Sequence, residues 1–215
     1  NQIINLAKAR ITNAMRTFAN NLSSDLYSDG TTTNQMGGLQ AVISDAGTGT
    51  VGGINSGTYT FWKSTLQSAA APLQGGGAIT PSKSTIQSLM LPLYLELSRG
   101  NDQPDLVVSS NDYFTFYEES LTDIKRYTDV NDATGGFISL KYKNADVIFD
   151  GGSGIPAAHM YFVNSDFLKL VVHRDANMTE VSEKTSINQD AVVIPVIWQG
   201  NLTVSNRSLQ GLVKA

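Results

Sequence analysis

Several short motifs in this chain have residue types and spacing that could do chemistry. Gly47-Thr-Gly49-Thr-Val-Gly52 has the G-x-G-x-x-G spacing of a dinucleotide-binding turn. That turn needs a preceding strand and a helix opening on the last glycine, so that backbone amides and the helix dipole face a pyrophosphate. Leu39 to Ile43 could supply a strand, but Gly53 to Thr60 is Gly, Ser, Thr and Tyr and does not read as a helix. Gln67 and Ser68 stand where the ribose-binding acid belongs, so the segment reads as a loop. His173-Arg174-Asp175 has the letters of a kinase catalytic loop, but the residues after it do not fit and no D-F-G exists. Gly152-Ser153-Gly154 lacks the flanking spacing of a nucleophile elbow.

Metal and acid–base chemistry fare no better. The two histidines, His159 and His173, are too far apart for i, i+4 ligation, and no H-E-x-x-H accompanies them. The carboxylate pairs Glu118-Glu119 and Asp102 with Asp105 lie on a helix face and around Pro104, with no apolar pocket to raise a pKa. Asn21, Asn177, Asn201 and Asn206 begin glycosylation sequons, which an Asn-rich chain produces by chance. Lys8 with Arg10, Lys125 with Arg126, His173 with Arg174, and Arg207 form small positive knots separated by acids. That pattern suits subunit salt bridges or solvation more than a phosphate track. We therefore expect no enzyme activity, no catalytic or metal-binding residues and no cofactor.

Composition narrows the class further. The 215 residues include no cysteine, which removes disulfide scaffolds, zinc ribbons, iron–sulfur sites and thiol catalysis. Charged residues make up 16%, against about 25% in an ordinary soluble domain. The net charge is -4, which disfavours tight nucleic-acid binding. With 41% hydrophobic residues the chain should fold. Its low-charge, amide-rich surface is expected to suit contact with other protein. No apolar run approaches the ~18 residues of a membrane span. The chain opens at Asn1 directly in a helical pattern, and we expect it to derive from a longer protein trimmed by processing or proteolysis.

The elements that would position any site follow from periodicity. Residues 1–28 carry Ile4, Ala7, Ile11, Ala14, Met15, Phe18 and Leu22 at helical spacing and predict one long amphipathic helix, stopped near Ser28-Asp29-Gly30. Residues 31–79 predict extended chain with little regular structure, held down by Phe61 and Trp62. Thr80-Pro81 predicts the start of a helix striped by Ile86, Leu89, Met90, Leu93 and Leu97, kinked near residue 88 by Pro92 and ended by Gly100. Residues 105–109 predict a buried strand, and a helix follows from Asn111 or Asp112 through Tyr113, Tyr117, Leu121 and Ile124. Residues 137–142 and 145–149 predict a hairpin turning at Lys143-Asn144. Strands are expected at 159–163 and 191–198, the latter disturbed by Pro195, with a helical turn from Ser165 to Leu170. The fold class is α+β.

One family matches these strings in order. Asp190 to Val213 resembles the C-terminal end of tailed-bacteriophage major capsid proteins. Pro104 to Tyr113, with Tyr117-Glu118 and Arg126-Tyr127, is similar to their central strand–helix unit. Gly136-Phe137 through Asp150, then Tyr161 to Asn164, is similar to their hairpin and following strand, and Arg10 to Leu22 with Leu26-Tyr27 and Gly30-Thr31 to the stretch after their extended loop. The resemblance implies the Hong Kong phage-type capsid fold, here lacking the N-terminal arm and extended loop. It implies a spine helix and Gly-rich peripheral segment over 1–79, an axial domain of mixed helices and strands over 80–189, and a closing strand with C-terminal tail over 190–215. It implies a structural head protein of a tailed phage or prophage, assembled in the bacterial cytoplasm into an icosahedral virion shell. Its partners would be other copies of itself in pentamers and hexamers, scaffold and portal proteins, and packaged DNA in weak non-specific contact. Residues 31–79 would conform to non-identical neighbours. Other readings are a phage tail or receptor-binding module, a nanocompartment shell protein of the same fold, and an unrecognised hydrolase.

Overall fold

The computed structural model describes residues 2–121, 140–151, 154–182, 184–185 and 192–215. Its centre is a six-stranded mixed sheet in the order β3-β14-β7-β4-β6-β5. The strands are β3 Thr65–Ser68, β4 Leu106–Ser109, β5 Leu140–Tyr142, β6 Ala145–Phe149, β7 His159–Val163 and β14 Gly211–Lys214. β14 runs parallel to β3, and β4 runs parallel to β6; the other neighbours are antiparallel. The α+β expectation holds.

Both faces of this sheet are covered, which explains why the central strands β4 and β7 are nearly continuous apolar runs. One face carries α3 (Ile86–Leu97) and α4 (Asn111–Ser120). Leu89, Leu93 and Leu97 of α3 and Tyr113 and Tyr117 of α4 pack there against Val107, Val147, Met160, Phe162 and Val213. The other face is a second core of Tyr27, Leu39, Val42, Ile43, Val108, Tyr161, Val163 and Leu212. Period-2 geometry sends successive residues of each strand to opposite sides, so Phe162 and Tyr161 serve different cores.

The expected strand at 105–109, the strand at 159–163 and the hairpin at Lys143-Asn144 are present. Lys143 takes φ +54, the left-handed conformation that a tight hairpin turn demands. Ile138 and Ile124 lie outside the described residues. The first helix, α1, spans Gln2–Asp25 and ends three residues before the predicted stop, although Gly30 does turn left-handed at φ +72. Ile11, Met15, Phe18 and Leu22 are its less exposed stripe, as the spacing predicts.

Four expectations are corrected. α3 begins at Ile86, not at Thr80-Pro81. The Ile86 and Thr85 amides both donate to Ser82 O, so a tight turn at Ser82 leads into the helix. The helix ends at Leu97, and Gly100 shapes the turn beyond it. Pro92 lies inside α3 without ending it. The carbonyl that Pro92 cannot serve belongs to Ser88, and Gln74 Nε2 donates to it at 3.3 Å. Phe61 does not hold down its segment: it is 68% exposed and touches the ring of Tyr59. Trp62 is the anchor, donating from Nε1 to Val51 O at 3.1 Å.

The third and fourth corrections concern strands. The helical turn after β7 covers only Ser165–Phe167, and Leu168–Val172 is a strand, β8. The expected strand at 191–198 is two pieces, β11 Val192–Val193 and β12 Val196–Ile197, separated at Ile194-Pro195. Proline lacks the amide that a continuing ladder needs. β11 pairs with β10 (Lys184–Thr185) and β12 with β9 (Thr179–Glu180). β13 (Gly200–Val204), β14 and β3 were not expected as separate strands. β13 pairs antiparallel with β8. Residues 31–79 are largely irregular, as expected, apart from α2 (Leu39–Val42), the small hairpin β1 (Thr50–Val51) and β2 (Ile54–Asn55), a turn at Thr60–Trp62, and β3.

Candidate functional site

The glycine-spaced loop is the first place to look for a site, and its geometry is opposite to a phosphate cradle. A phosphate site aims backbone amides inward. Here the carbonyls of Thr48 and Gly49 face inward, toward the guanidinium of Arg207. The loop continues into the β1–β2 hairpin, with no helix after Gly52. Gly49, Gly52 and Gly53 have positive φ, the backbone freedom this path requires. The loop is therefore built around an internal cation.

Arg207 is a residue that spacing could not assign. Grouped by sequence with exposed charge, it is fully buried and, among the described residues, has no carboxylate partner. Burial lowers its pKa from the usual arginine range. It enters the fold because Asn206 caps a short turn at Arg207–Leu209: Asn206 Oδ1 accepts from Ser208 N at 3.2 Å. That gives Asn206 Oδ1 a structural task. Asn21, Asn177 and Asn201 are exposed, and Asn201 Oδ1 accepts from Gly37 N at 3.0 Å.

The two histidines are separated as expected, and they differ in environment. His173 lies in an exposed turn, where its Nδ1 accepts from Asp175 N at 3.2 Å. His159 opens β7; one ring nitrogen is 2.7 Å from Ala157 O and the other 3.2 Å from Asp45 Oδ1. This pair ties the start of β7 to the segment after α2. Among the described residues no hydroxyl hydrogen-bonds to its ring. Among the described residues no group of three His, Asp or Glu could hold a metal ion.

The carboxylates have structural partners. Asp105 accepts from Ser165 N at 2.8 Å and from the Ser165 hydroxyl, closing the turn after β7. Asp112 accepts from Ala158 N at 2.8 Å and from the Ser110 hydroxyl at the start of α4. Glu118 and Glu119 lie on α4, and Asp102 in the turn at Gly100. Lys125, Arg126 and the serine of the Gly152-Ser153-Gly154 string fall outside the described residues.

Part of the amide content works internally. Gln210 accepts from Asn164 N at 3.0 Å and donates to Asn164 O at 3.1 Å, prolonging the β14–β7 ladder with a side chain. Gln67, fully buried, accepts from Leu73 N and donates to Gln74, which in turn serves Ser88 O. The Gln210 amide satisfies the buried backbone of Asn164, which would otherwise cost about 1–3 kcal/mol per group. The amide-rich composition is thus only partly a surface property.

Open clefts lie among the described residues. One, of about 420 Å³, is lined by Phe61, Leu66, Leu73, Lys63, Glu96 and Arg99. Another, of about 310 Å³, lies between β1 and β13. No histidine lines either. Exposed apolar residues are more prominent than any polar constellation: Tyr59, Phe61 and Leu73, Leu91 and Leu95 on α3, and Leu170 and Val171 on β8. Among the described residues no helix is long and apolar enough to cross a membrane.

Buried phenols give one pH prediction. Burial, with Asp112 nearby, pushes Tyr113 up to about 12. Burial pushes Tyr142 up to about 12 as well, and Tyr27, Tyr117 and Tyr161 further. An unfolded phenol ionises near 10. The folded state therefore holds these protons more tightly, and their contribution is present below pH 10 and lost as pH rises from 10 through 12. The urea midpoint is expected to be clearly lower at pH 11 than at pH 8; equal midpoints would contradict it.

No model of a known protein family matches the sequence. No curated protein matches it either. Among solved structures, the chain is similar to one in the cyanophage A-1(L) capsid asymmetric unit, with a TM-score of 0.65 at 16% identity. The match covers 97% of this chain and 69% of that one. The two chains share a fold over nearly all the residues described above. This likeness supports the resemblance read from the strings between Arg10 and Val213.

Proposed function

We propose that this chain is a structural subunit of a phage capsid, the major head protein of a tailed phage or prophage. The observation that carries this reading is the chain-wide likeness in fold to a capsid chain at 16% identity. The order of the matching strings in the sequence supports it independently. A capsid role asks for broad contact surfaces and little charge. The 16% charged residues and the exposed Phe61, Leu95 and Val171 meet that requirement.

In this reading the fold is of the Hong Kong phage type. α1 is its spine helix, residues 1–79 belong to a peripheral part, 80–189 form the axial part, and 190–215 close the structure. The six-stranded sheet joins strands from all three stretches. The partners are other copies of the chain in pentamers and hexamers, with scaffold and portal proteins. The net charge of -4 lets packaged DNA lie near the wall without tight binding. The subunit is assembled in the cytoplasm of a bacterial host and ends in the virion. The role is structural, without catalysis or cofactor.

The test is electron microscopy of the full gene product after expression and gradient purification. Hollow shells of uniform diameter are the expected outcome. A product that stays monomeric at high concentration, with or without its neighbouring phage genes, would overturn the reading.

A further inference from the structure

A guanidinium has five N–H donors and no acceptor. Buried without a counter-charge, it is tolerated only when those donors are satisfied, since removing an ion from water costs several kcal/mol. Arg207 is 0% exposed, and its partners lie in one stretch of chain more than 150 positions away. Nε donates to Val42 O at 2.6 Å. Nη1 donates to Ser56 Oγ at 3.3 Å and Gly49 O at 3.4 Å. Nη2 donates to Ser44 Oγ at 3.3 Å and Thr48 O at 3.4 Å. Five oxygens, all neutral, thus face the guanidinium from residues 42–56.

The oxygens are held in place by one another. The Ser44 hydroxyl donates to Thr48 O, and Ser56 donates to Gly49 O from both its hydroxyl, at 3.0 Å, and its amide, at 3.1 Å. Val42 O is a carbonyl at the end of α2, free of the helix ladder. Such a ring of oxygens presents negative dipole ends to a common centre, and the guanidinium of Arg207 occupies that centre. The filling group arrives from the C-terminal segment. Arg207 lies four residues before β14, which is inserted between β3 and β7.

We propose that residues 42–56 form a cation-binding loop whose resident cation is the Arg207 guanidinium, delivered when the C-terminal strand docks, and that this cation gives the loop its shape. The loop is then a conditional element. It is ordered only after β14 has entered the sheet, so its order reports the docking of that strand. The inference is independent of the capsid reading.

The experiment is hydrogen–deuterium exchange of the full chain and its Arg207→Ala variant, followed on peptides covering 42–56. Exchange in this loop is expected to rise at least tenfold, while peptides from β4 and β7 change less than twofold. Guanidinium chloride at about 20 mM, far below the molar range where it denatures, is expected to restore most of the loss; sodium chloride at equal ionic strength is expected not to. Arg207→Lys, with its donors on one nitrogen, should lie in between. Unchanged loop exchange in Arg207→Ala overturns the proposal. So does equal recovery with either salt, or none with guanidinium, because each shows that packing and not the cation orders the loop. If Arg207→Ala does not fold, Ser44→Ala and Ser56→Ala each remove one acceptor. Loop exchange several-fold faster in both sustains the proposal, and unchanged exchange in both overturns it.

Discussion

Ending the chain at Gln210 is expected to abolish cooperative folding. The five residues lost include β14, which sits inside the sheet with β3 on one side and β7 on the other. Leu212 and Val213 are fully buried, one in each core. Burying an aliphatic side chain contributes about 1.5–3 kcal/mol, and each ladder hydrogen bond about 0.5–1.5 kcal/mol net. Two such side chains and two ladders together rival the whole stability of a domain, about 5–15 kcal/mol. The loss also leaves β3 and β7 with open edges, which invites aggregation. Circular dichroism during urea unfolding checks this, with a chain lacking only Ala215 as the control. A truncated chain that still melts in one sharp transition near the full-length midpoint would refute the central placement of β14.

The second large effect is expected for Leu93→Ala. Leu93 is fully buried on α3 and faces Gly211, where a Cβ would come within 2.8 Å of the Leu93 Cδ1 and 2.7 Å of the Leu97 Cδ1. Helix and sheet approach so closely there that a side chain on the sheet side would have to displace both leucine methyls. Leu→Ala in such a site removes transfer free energy and leaves a cavity, at a cost of about 2–5 kcal/mol. For a chain of this size that lowers the melting temperature by on the order of 10 °C. Calorimetry checks it, and Leu95→Ala, on the exposed side of the same helix, should move the transition far less. Equal effects at the two positions would mean that α3 does not pack as described.

The two predictions mark where sequence reasoning succeeded and where it failed. The stripe Ile86, Leu89, Met90, Leu93 and Leu97 is visible as spacing, and those residues are buried on α3. The strands Leu106–Ser109 and His159–Val163 are visible as short apolar runs. Local pattern suffices there because burial of a whole face imposes a period. The start of α3 was misread because Thr80-Pro81 is a good local signal that the Ser82 turn overrides. The role of β14 was missed because a four-residue strand at a chain end carries no periodic signal.

The sequence by itself determined the class of protein: an α+β chain with no cysteine, low charge, no motif completed by its required context, and an order of strings like that of phage capsid proteins. Composition and local period set these properties, and they need no long-range contact. The tertiary structure alone decided what Arg207 and the glycine-spaced loop are. The side chain and its five acceptors are separated by 151 to 165 positions, and no local pattern encodes a hydrogen bond across such a distance. The same letters that could have cradled a phosphate turn their carbonyls inward because a buried cation reaches them from the other end of the chain.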